Sequence, residues 1–161
     1  MSAQRKIRRQ ILQSFRSNPR PLIDTLVVAN DVPEIDPASI RPYPFCDVDP
    51  IAATTNGPPP LAWQVDLVKP VGVHFIALVD VVSHLDPERV WMWLLWRTLA
   101  RANSGCPAWM MVCPTNDAVL AAIRRAFDHE PANLPMLITP DAKVVALPRR
   151  PAPRPPTPLF V

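Results

Sequence analysis

WQVDLVKPVGVHFIALVDVVSHLDPERVWMWLLWR, residues 63–97, is the stretch that decides the fold. Its first residues alternate apolar and polar side chains with the period of a β-strand, and Pro70-Val71-Gly72 predicts a turn. Residues 74–82 then form an almost continuous apolar run, which is typical of a central strand that is covered on both faces. Asp66 and Asp80 interrupt the two runs. The stretch therefore predicts two adjacent strands that carry one carboxylate each.

A helix is predicted directly after the second strand. Asp86 is a good N-cap residue, and Pro87 suits the first helical position because its missing N–H needs no partner there. Residues 87–102 carry large apolar side chains almost all the way round, including Trp91, Trp93 and Trp96. We therefore expect this helix to be buried or shared with a partner.

The remaining elements alternate in type along the chain. Helices are predicted at 4–17 and 20–30, before a Pro- and Asp-rich loop at 31–62 in which one short strand is expected near 40–46. Strands at 108–113 and 134–139 flank a helix that begins at Asp117, and a last apolar run covers 144–147. This order predicts an α/β fold in which a mixed β-sheet is flanked by helices. Residues 1–147 form the predicted domain, and residues 148–161 a proline- and arginine-rich tail that is disordered or binds a partner.

Composition limits the protein class. The chain has 161 residues, of which 48% are hydrophobic and 19% charged, as in one globular domain. It has three cysteines without metal-site spacing, no apolar segment typical of a secretory signal and no apolar run long enough for a bilayer. We therefore expect a cytoplasmic protein without a membrane partner.

Basic residues are concentrated at the N-terminus. Arg5, Lys6, Arg8 and Arg9 all precede the first acid of the chain. Such a cluster is a candidate contact for nucleic-acid phosphates. The alternative is a solvated face of a helix that has no ligand.

Several short motifs occur in a characteristic order between residues 7 and 147. The first four are an F-R-x-x-P motif (Phe15–Pro19), an acid on the first core strand (Asp66), an acid-containing second strand (Val79–Ser83) and a D-P motif that opens a Trp-containing helix (Asp86–Trp93). They are followed by a C-P pair (Cys106-Pro107), a V-C-P strand end (Val112–Pro114) and a late apolar strand (Leu134–Ile138). The series resembles a bacterial group in the PD-(D/E)XK nuclease superfamily, akin to transposase-like and recombination-promoting nucleases. The resemblance implies a restriction-endonuclease-like core.

The resemblance also implies a particular site. In such a core, two carboxylates on adjacent strands bind Mg²⁺, which activates a water molecule for attack on a phosphodiester. Asp66 matches the first acid, Asp80 replaces the usual Glu, and Val82 stands where a Lys or Gln is usual. Because valine can neither orient water nor stabilise charge, we expect the catalytic and metal site at Asp66 and Asp80 to be weakened or inactive.

Three functions remain open at this stage. The first is a nuclease-fold protein that acts as a nucleic-acid-binding or assembly component. The second is an active Mg²⁺-dependent DNase that recruits Asp47 or Asp49 as a further acid. The third is a structural interaction protein or homo-oligomer that uses the Trp-rich helix and the tail as partner surfaces.

The candidate residues also have structural interpretations. Asp66 and Asp80 can lie at sheet ends or pair with Arg89 or Arg97. His74 and His84 have no neighbouring metal ligands in the sequence, and Cys106 has no matching His and Asp for thiol catalysis. We expect these last three residues to be structural.

Overall fold

The computed structural model of the protein describes residues 3–44 and 59–149. These residues form four α-helices and six β-strands, with one short 3₁₀-helix at Pro37–Ser39. Their bounds are α1 Ala3–Ser17, α2 Arg20–Asn30, β1 Arg41–Pro42, β2 Leu61–Asp66, β3 His74–Val82, α3 Pro87–Ser104, β4 Ala108–Pro114, α4 Asp117–Ala126, β5 Met136–Ile138 and β6 Val144–Ala146.

All six strands belong to one mixed sheet, in the order β1-β2-β3-β4-β5-β6. The β2–β3 pair is an antiparallel hairpin, whereas β3, β4 and β5 are mutually parallel neighbours. Strands β1 and β6 join the two edges in antiparallel orientation. Helices α3 and α4 provide the crossovers that the parallel pairs require.

The central strand β3 is buried on both faces from Phe75 to Val82. Its odd-numbered residues pack into a cluster with Ile11 and Phe15 of α1 and with apolar residues of α2. Its even-numbered apolar residues pack into a second cluster with Trp93 and Trp96 of α3 and with α4. The alternation of a strand thus places α1 and α2 on one face of the sheet and α3 and α4 on the other.

Helix α3 begins and ends at residues with clear local reasons. The Asp86 side chain accepts a hydrogen bond from the Glu88 backbone N–H, which caps the first turn, and Pro87 follows the cap. Gly105 ends the helix with a φ of 66°, a left-handed conformation that glycine adopts without steric cost. Arg89 and Trp93 therefore lie in the first two turns, beside the carboxyl end of β3.

The predicted α/β class and the mixed sheet flanked by helices are confirmed. The strand predicted at 74–82 and the helix predicted from Pro87 lie where the pattern placed them, and the strand predicted at 63–68 is found at Leu61–Asp66. Helix α3, predicted to be buried or shared with a partner, is buried on one side only, because Trp93 and Trp96 are in the core whereas Trp91 is 72% exposed.

Two predictions lie outside the described residues: an additional acid at Asp47 or Asp49, and the structure of the tail beyond Arg149. The chain is still attached to the fold at that point, since the Arg149 backbone N–H donates to the Pro131 carbonyl at 3.1 Å. Within the described ranges, the helices are all too short or too polar to cross a lipid bilayer.

The two-faced packing of β3 has a measurable consequence. Leu78→Ala removes a fully buried side chain from the centre of the strand, so we expect the free energy of unfolding to fall by about 2–5 kcal/mol. Val71→Ala is the matched control, because Val71 is 89% exposed at the hairpin turn and should change stability by less than about 0.5 kcal/mol. Urea unfolding followed by circular dichroism measures both, and equal stability of the two variants would contradict this packing.

Candidate functional site

Asp80 is a carboxylate buried inside the domain. It lies near the carboxyl end of β3 between two apolar residues, and only 2% of its surface is exposed. Its position in the strand points it to the face that α3 and α4 cover. A buried carboxylate is costly unless charged or polar groups compensate it, so its partners decide what it can do.

Helix α3 supplies the principal partners of Asp80. Arg89 binds it with two hydrogen bonds, from Nε to Oδ2 and from Nη2 to Oδ1, each 2.7 Å long. The Trp93 indole Nε1–H also donates to Oδ2, at 2.8 Å. Because Arg89 and Trp93 are four residues apart, they lie on the same side of the helix. The bidentate geometry is the strongest common form of carboxylate recognition by arginine.

A second guanidinium reaches the same carboxylate from the other face of the sheet. Arg8 of α1 donates from Nε to the Val81 carbonyl at 2.6 Å, and its Nη2 lies 3.8 Å from Asp80 Oδ1. The contact connects residues that are 73 positions apart in the sequence. The cluster therefore joins α1, β3 and α3, and it holds two positive charges against one negative charge.

The charge state of the cluster follows from these contacts. The hydrogen bond to Asp80 raises the pKa of Arg89 above its usual value, burial opposes that shift, and the Asp80 charge adds to it. Arg89 thus remains a cation at any physiological pH.

Asp66 lies at the opposite end of the sheet from Asp80. It is the pairing partner of His74, the first residue of β3, and Asp80 lies six positions further along that strand. At roughly 3.3 Å per residue, the separation along the strand is about 20 Å. The acids are therefore on the same face but far apart, and the structure does not bring them together.

The partners of Asp66 are also different. Arg41 binds it through Nη1 at 3.2 Å and Nη2 at 3.5 Å, and the Gln64 amide donates to it at 3.4 Å. These groups line a groove of about 770 Å³ together with Asp36, Gly72 and His74. The groove contains the Asp66–Arg41 ion pair at its surface and lies at the end of the sheet remote from Asp80.

The predicted Mg²⁺ site at Asp66 and Asp80 does not fit this geometry. Both Asp80 oxygens already accept hydrogen bonds from Arg89, and the β2 residue beside Val79 is Leu61. Val82 is packed in the core with 4% exposure. Within residues 3–44 and 59–149, no three His, Cys, Asp or Glu side chains are grouped closely enough to hold a metal. The antiparallel hairpin is the physical reason, because it directs the end of β2 toward the beginning of β3.

The other candidate residues also have definite positions. Trp93 and Trp96 are buried in the core of the chain, so the partner surface predicted from three tryptophans is reduced to Trp91. His74 is half-buried in the groove beside Asp66, and His84 is exposed after β3. Burial raises the pKa of the Cys106 thiol and raises that of Cys113 to about 12, which suppresses the reactive thiolate of both.

The basic residues of α1 divide into two kinds. Arg8 is partly buried in the Asp80 cluster. Arg5, Lys6 and Arg9 are exposed. The predicted nucleic-acid contact therefore keeps three of its four members at the surface, while the fourth holds the helix against the sheet.

Some of these contacts are predictable from the sequence and others are not. Pairing of Asp80 with Arg89 was one of the stated alternatives, and the structure confirms it. The Trp93 hydrogen bond was missed, although its spacing of four residues from Arg89 is a usable signal. The Arg8 contact has no local signal, since it depends on how α1 packs across the sheet. Comparison with protein-family models, with curated proteins and with solved structures finds no match for this chain.

The buried ion pair predicts that removing Arg89 alone lowers stability more than removing Arg89 together with the Asp80 charge. Arg89→Leu leaves the Asp80 charge without its main partner, so we expect a loss of about 3–5 kcal/mol in the free energy of unfolding. Adding Asp80→Asn to that variant removes the buried charge, while an amide oxygen at position 80 still accepts from Trp93. The double variant should therefore be more stable than the Arg89→Leu single variant.

Chemical denaturation of wild type and the two variants measures the effect. Arg124→Leu is the control, because Arg124 is exposed on α4 and makes no ion pair within the described ranges. Equal stability of the single and double variants would show that Asp80 is not a charged partner of Arg89.

Proposed function

We propose that the protein is a nucleic-acid-binding or assembly component with a nuclease-like core whose metal site is inactive. The hydrogen-bond partners of Asp80 support the proposal that the metal site is inactive. In the nuclease resemblance its position belongs to a metal ligand, but here its oxygens accept from Arg89 and Trp93. The carboxylate thus contributes to structure, and no reaction step is assigned to it.

The charge arrangement of α1 is the observation that carries the nucleic-acid part. The helix contains five charged residues, all of them basic: Arg5, Lys6, Arg8, Arg9 and Arg16. Another arginine, Arg20, follows at the start of α2. Within the described ranges, Arg8 and Arg20 have ion pairs, whereas the four exposed side chains Arg5, Lys6, Arg9 and Arg16 have none. Uncompensated cations on one helix are the usual contact for a phosphate backbone.

Helix α1 also has the rigidity that such a surface needs. Ile11 and Phe15 pack into the core, and Arg8 attaches the same helix to the Val81 carbonyl. From Arg5 to Arg16 the axis extends about 16 Å at 1.5 Å per residue. The exposed cations are therefore held on a fixed element with a length suited to several phosphates.

The lack of an exposed aromatic side chain on α1 indicates which kind of nucleic-acid contact the helix can make. Its one aromatic residue, Phe15, is buried with 4% exposure, so it offers no ring for base stacking. Contacts from α1 are then made to phosphates and not to unstacked bases. We propose sequence-independent binding to duplex nucleic acid through its backbone.

The second candidate function, protein interaction through α3, keeps one specific observation in its favour. Trp91 is 72% exposed, although large aromatic side chains are usually buried. That surface lies on the other face of the sheet from α1, so the two functions are compatible.

Neutralising α1 should weaken binding to duplex DNA. For Arg5→Gln/Arg9→Gln we expect the affinity at about 0.1 M salt to fall about tenfold or more. The slope of log affinity against log salt concentration should become shallower by up to roughly 0.9 for each phosphate contact removed. Fluorescence anisotropy with a labelled duplex over a salt series measures both quantities.

The matched control is Arg124→Gln/Arg125→Gln, which removes two exposed arginines from α4 on the other face of the sheet. Wild-type affinity of the α1 variant, or an equal loss in both variants, would contradict a role of α1 in DNA binding.

Cleavage activity gives a separate prediction. We expect no nicking of supercoiled plasmid above background with Mg²⁺ or Mn²⁺, because Val82 cannot replace an acid–base or orienting group whose loss typically costs about 10²–10⁴-fold in rate. Asp80→Asn, checked for folding by circular dichroism, is the comparison. Cleavage by wild type that disappears in the folded variant would overturn the inactive-site proposal.

A further inference from the structure

The outer face of α3 carries large apolar side chains that lie outside the core formed by residues 3–44 and 59–149. Trp91 is 72% exposed, and Leu94 and Leu95 are only partly buried. These two leucines are absent from both core clusters, whereas Trp93 and Trp96 of the same helix are core members. The helix therefore presents a second apolar surface, directed away from the sheet.

Two arginines border this surface: Arg101 lies on the same side of the helix as Leu94 and Thr98, and Arg97 lies on the flank, about 120° around the helix from Trp91. Arg97 is half-buried and Arg101 is exposed one turn later, and neither forms an ion pair within the described ranges. Burial, followed by the charge of Arg101, lowers the pKa of Arg97. The other two partly buried arginines of the described residues, Arg8 and Arg89, each have a carboxylate partner.

A groove lies at the end of this surface. Its volume is about 510 Å³, and it is formed by the last turns of α3 and the turn before β4, including Thr98, Arg101 and Cys106. Trp91, Leu94, Thr98 and Arg101 follow the i, i+3, i+7 and i+10 spacing of one helical stripe. The stripe is about 15 Å long, which corresponds to about three turns of a partner helix.

We propose that this stripe docks an acidic amphipathic helix of another protein. Its apolar side chains would cover Trp91, Leu94 and Leu95, and its Asp or Glu residues would pair with Arg97 and Arg101. Tryptophan and arginine are the residue types that most often dominate interface energies. The surface lies across the sheet from α1, so it adds a protein partner to the proposed nucleic-acid contact and is independent of it.

Charge distinguishes an acidic helix from three other possible occupants of the stripe, which are a second copy of the chain, residues 150–161 and nucleic acid. A second copy of α3 brings three arginines and one glutamate, so it supplies no excess of acid. Residues 150–161 of the chain contain Arg150 and Arg154 and no acid. Nucleic acid would pair with the arginines but would leave the three apolar side chains uncovered. An acidic helix with an apolar face complements both parts.

A charge-swap experiment with synthetic helices tests the proposal. The probes are a panel of labelled 15-residue peptides with a leucine face and glutamate flanks, each with a twin in which lysine replaces glutamate. We expect wild type to bind members of the glutamate set at least tenfold more tightly than their lysine twins by fluorescence anisotropy. Arg97→Glu/Arg101→Glu should reverse that preference.

Two further variants separate the contributions. Trp91→Ala should weaken binding of the glutamate peptides about thirtyfold, as truncation of an interface hot-spot tryptophan does. Arg124→Glu/Arg125→Glu on α4 is the control matched in charge and should leave the preference unchanged. Circular dichroism checks that each variant is folded.

The remaining outcomes overturn the proposal. If no glutamate peptide binds more tightly than its lysine twin, the stripe is not a site for an acidic helix. Concentration-dependent dimerisation that Trp91→Ala abolishes, measured by analytical ultracentrifugation, assigns the stripe to a second copy. Loss of duplex DNA binding in Arg97→Glu/Arg101→Glu, with α1 intact, assigns it to nucleic acid.

Discussion

The buried carboxylate of Asp80 is the constraint on which the surrounding elements depend. A charge with 2% exposure needs compensation from within the protein, and its partners come from two different faces of the sheet. Arg89 and Trp93 reach it only because α3 begins directly after β3, with a capped first turn at Asp86 and Pro87. Arg8 reaches the same end of β3 only because α1 packs across the other face. Helix α3 is thus held by hydrogen bonds to the carboxylate, and α1 by a hydrogen bond to the Val81 carbonyl and a longer ion pair with Asp80.

The β2–β3 hairpin determines which acids can act together. In an antiparallel pair the end of the first strand lies beside the beginning of the second, so Asp66 faces His74 and not Asp80. A metal site shared by these two acids would need the end of β2 to lie beside the end of β3. The same hairpin places Asp66 with Arg41 in a separate groove. Two acids on adjacent strands therefore have unrelated surroundings.

Much of the fold could be predicted from the sequence because its signals are local. The apolar run of β3, the Asp86-Pro87 start of α3 and the Gly105 end each depend on residues within one or two turns. The site depends on register and on long-range packing, which local patterns do not contain. Arg8 and Val81 are 73 residues apart, and no spacing rule connects them. The partner surface predicted from three tryptophans is reduced to Trp91 for a related reason: a helix rich in large apolar residues does not reveal which of them face the sheet and which face solvent.

The contribution of the Asp80 cluster is therefore one of specificity more than of stability. Replacing a buried ion pair by apolar groups of similar volume often costs little, because desolvation of the charges offsets their attraction. An apolar residue at position 80 would still pack against α3. It would accept no hydrogen bond from the guanidinium of Arg89 or the indole N–H of Trp93, and it would not attract the charge of Arg8. We infer that the carboxylate selects one position of α3 and one position of α1 among those that simple apolar packing permits. The two helices that carry the proposed binding surfaces are then oriented by the same buried charge, one on each face of the sheet.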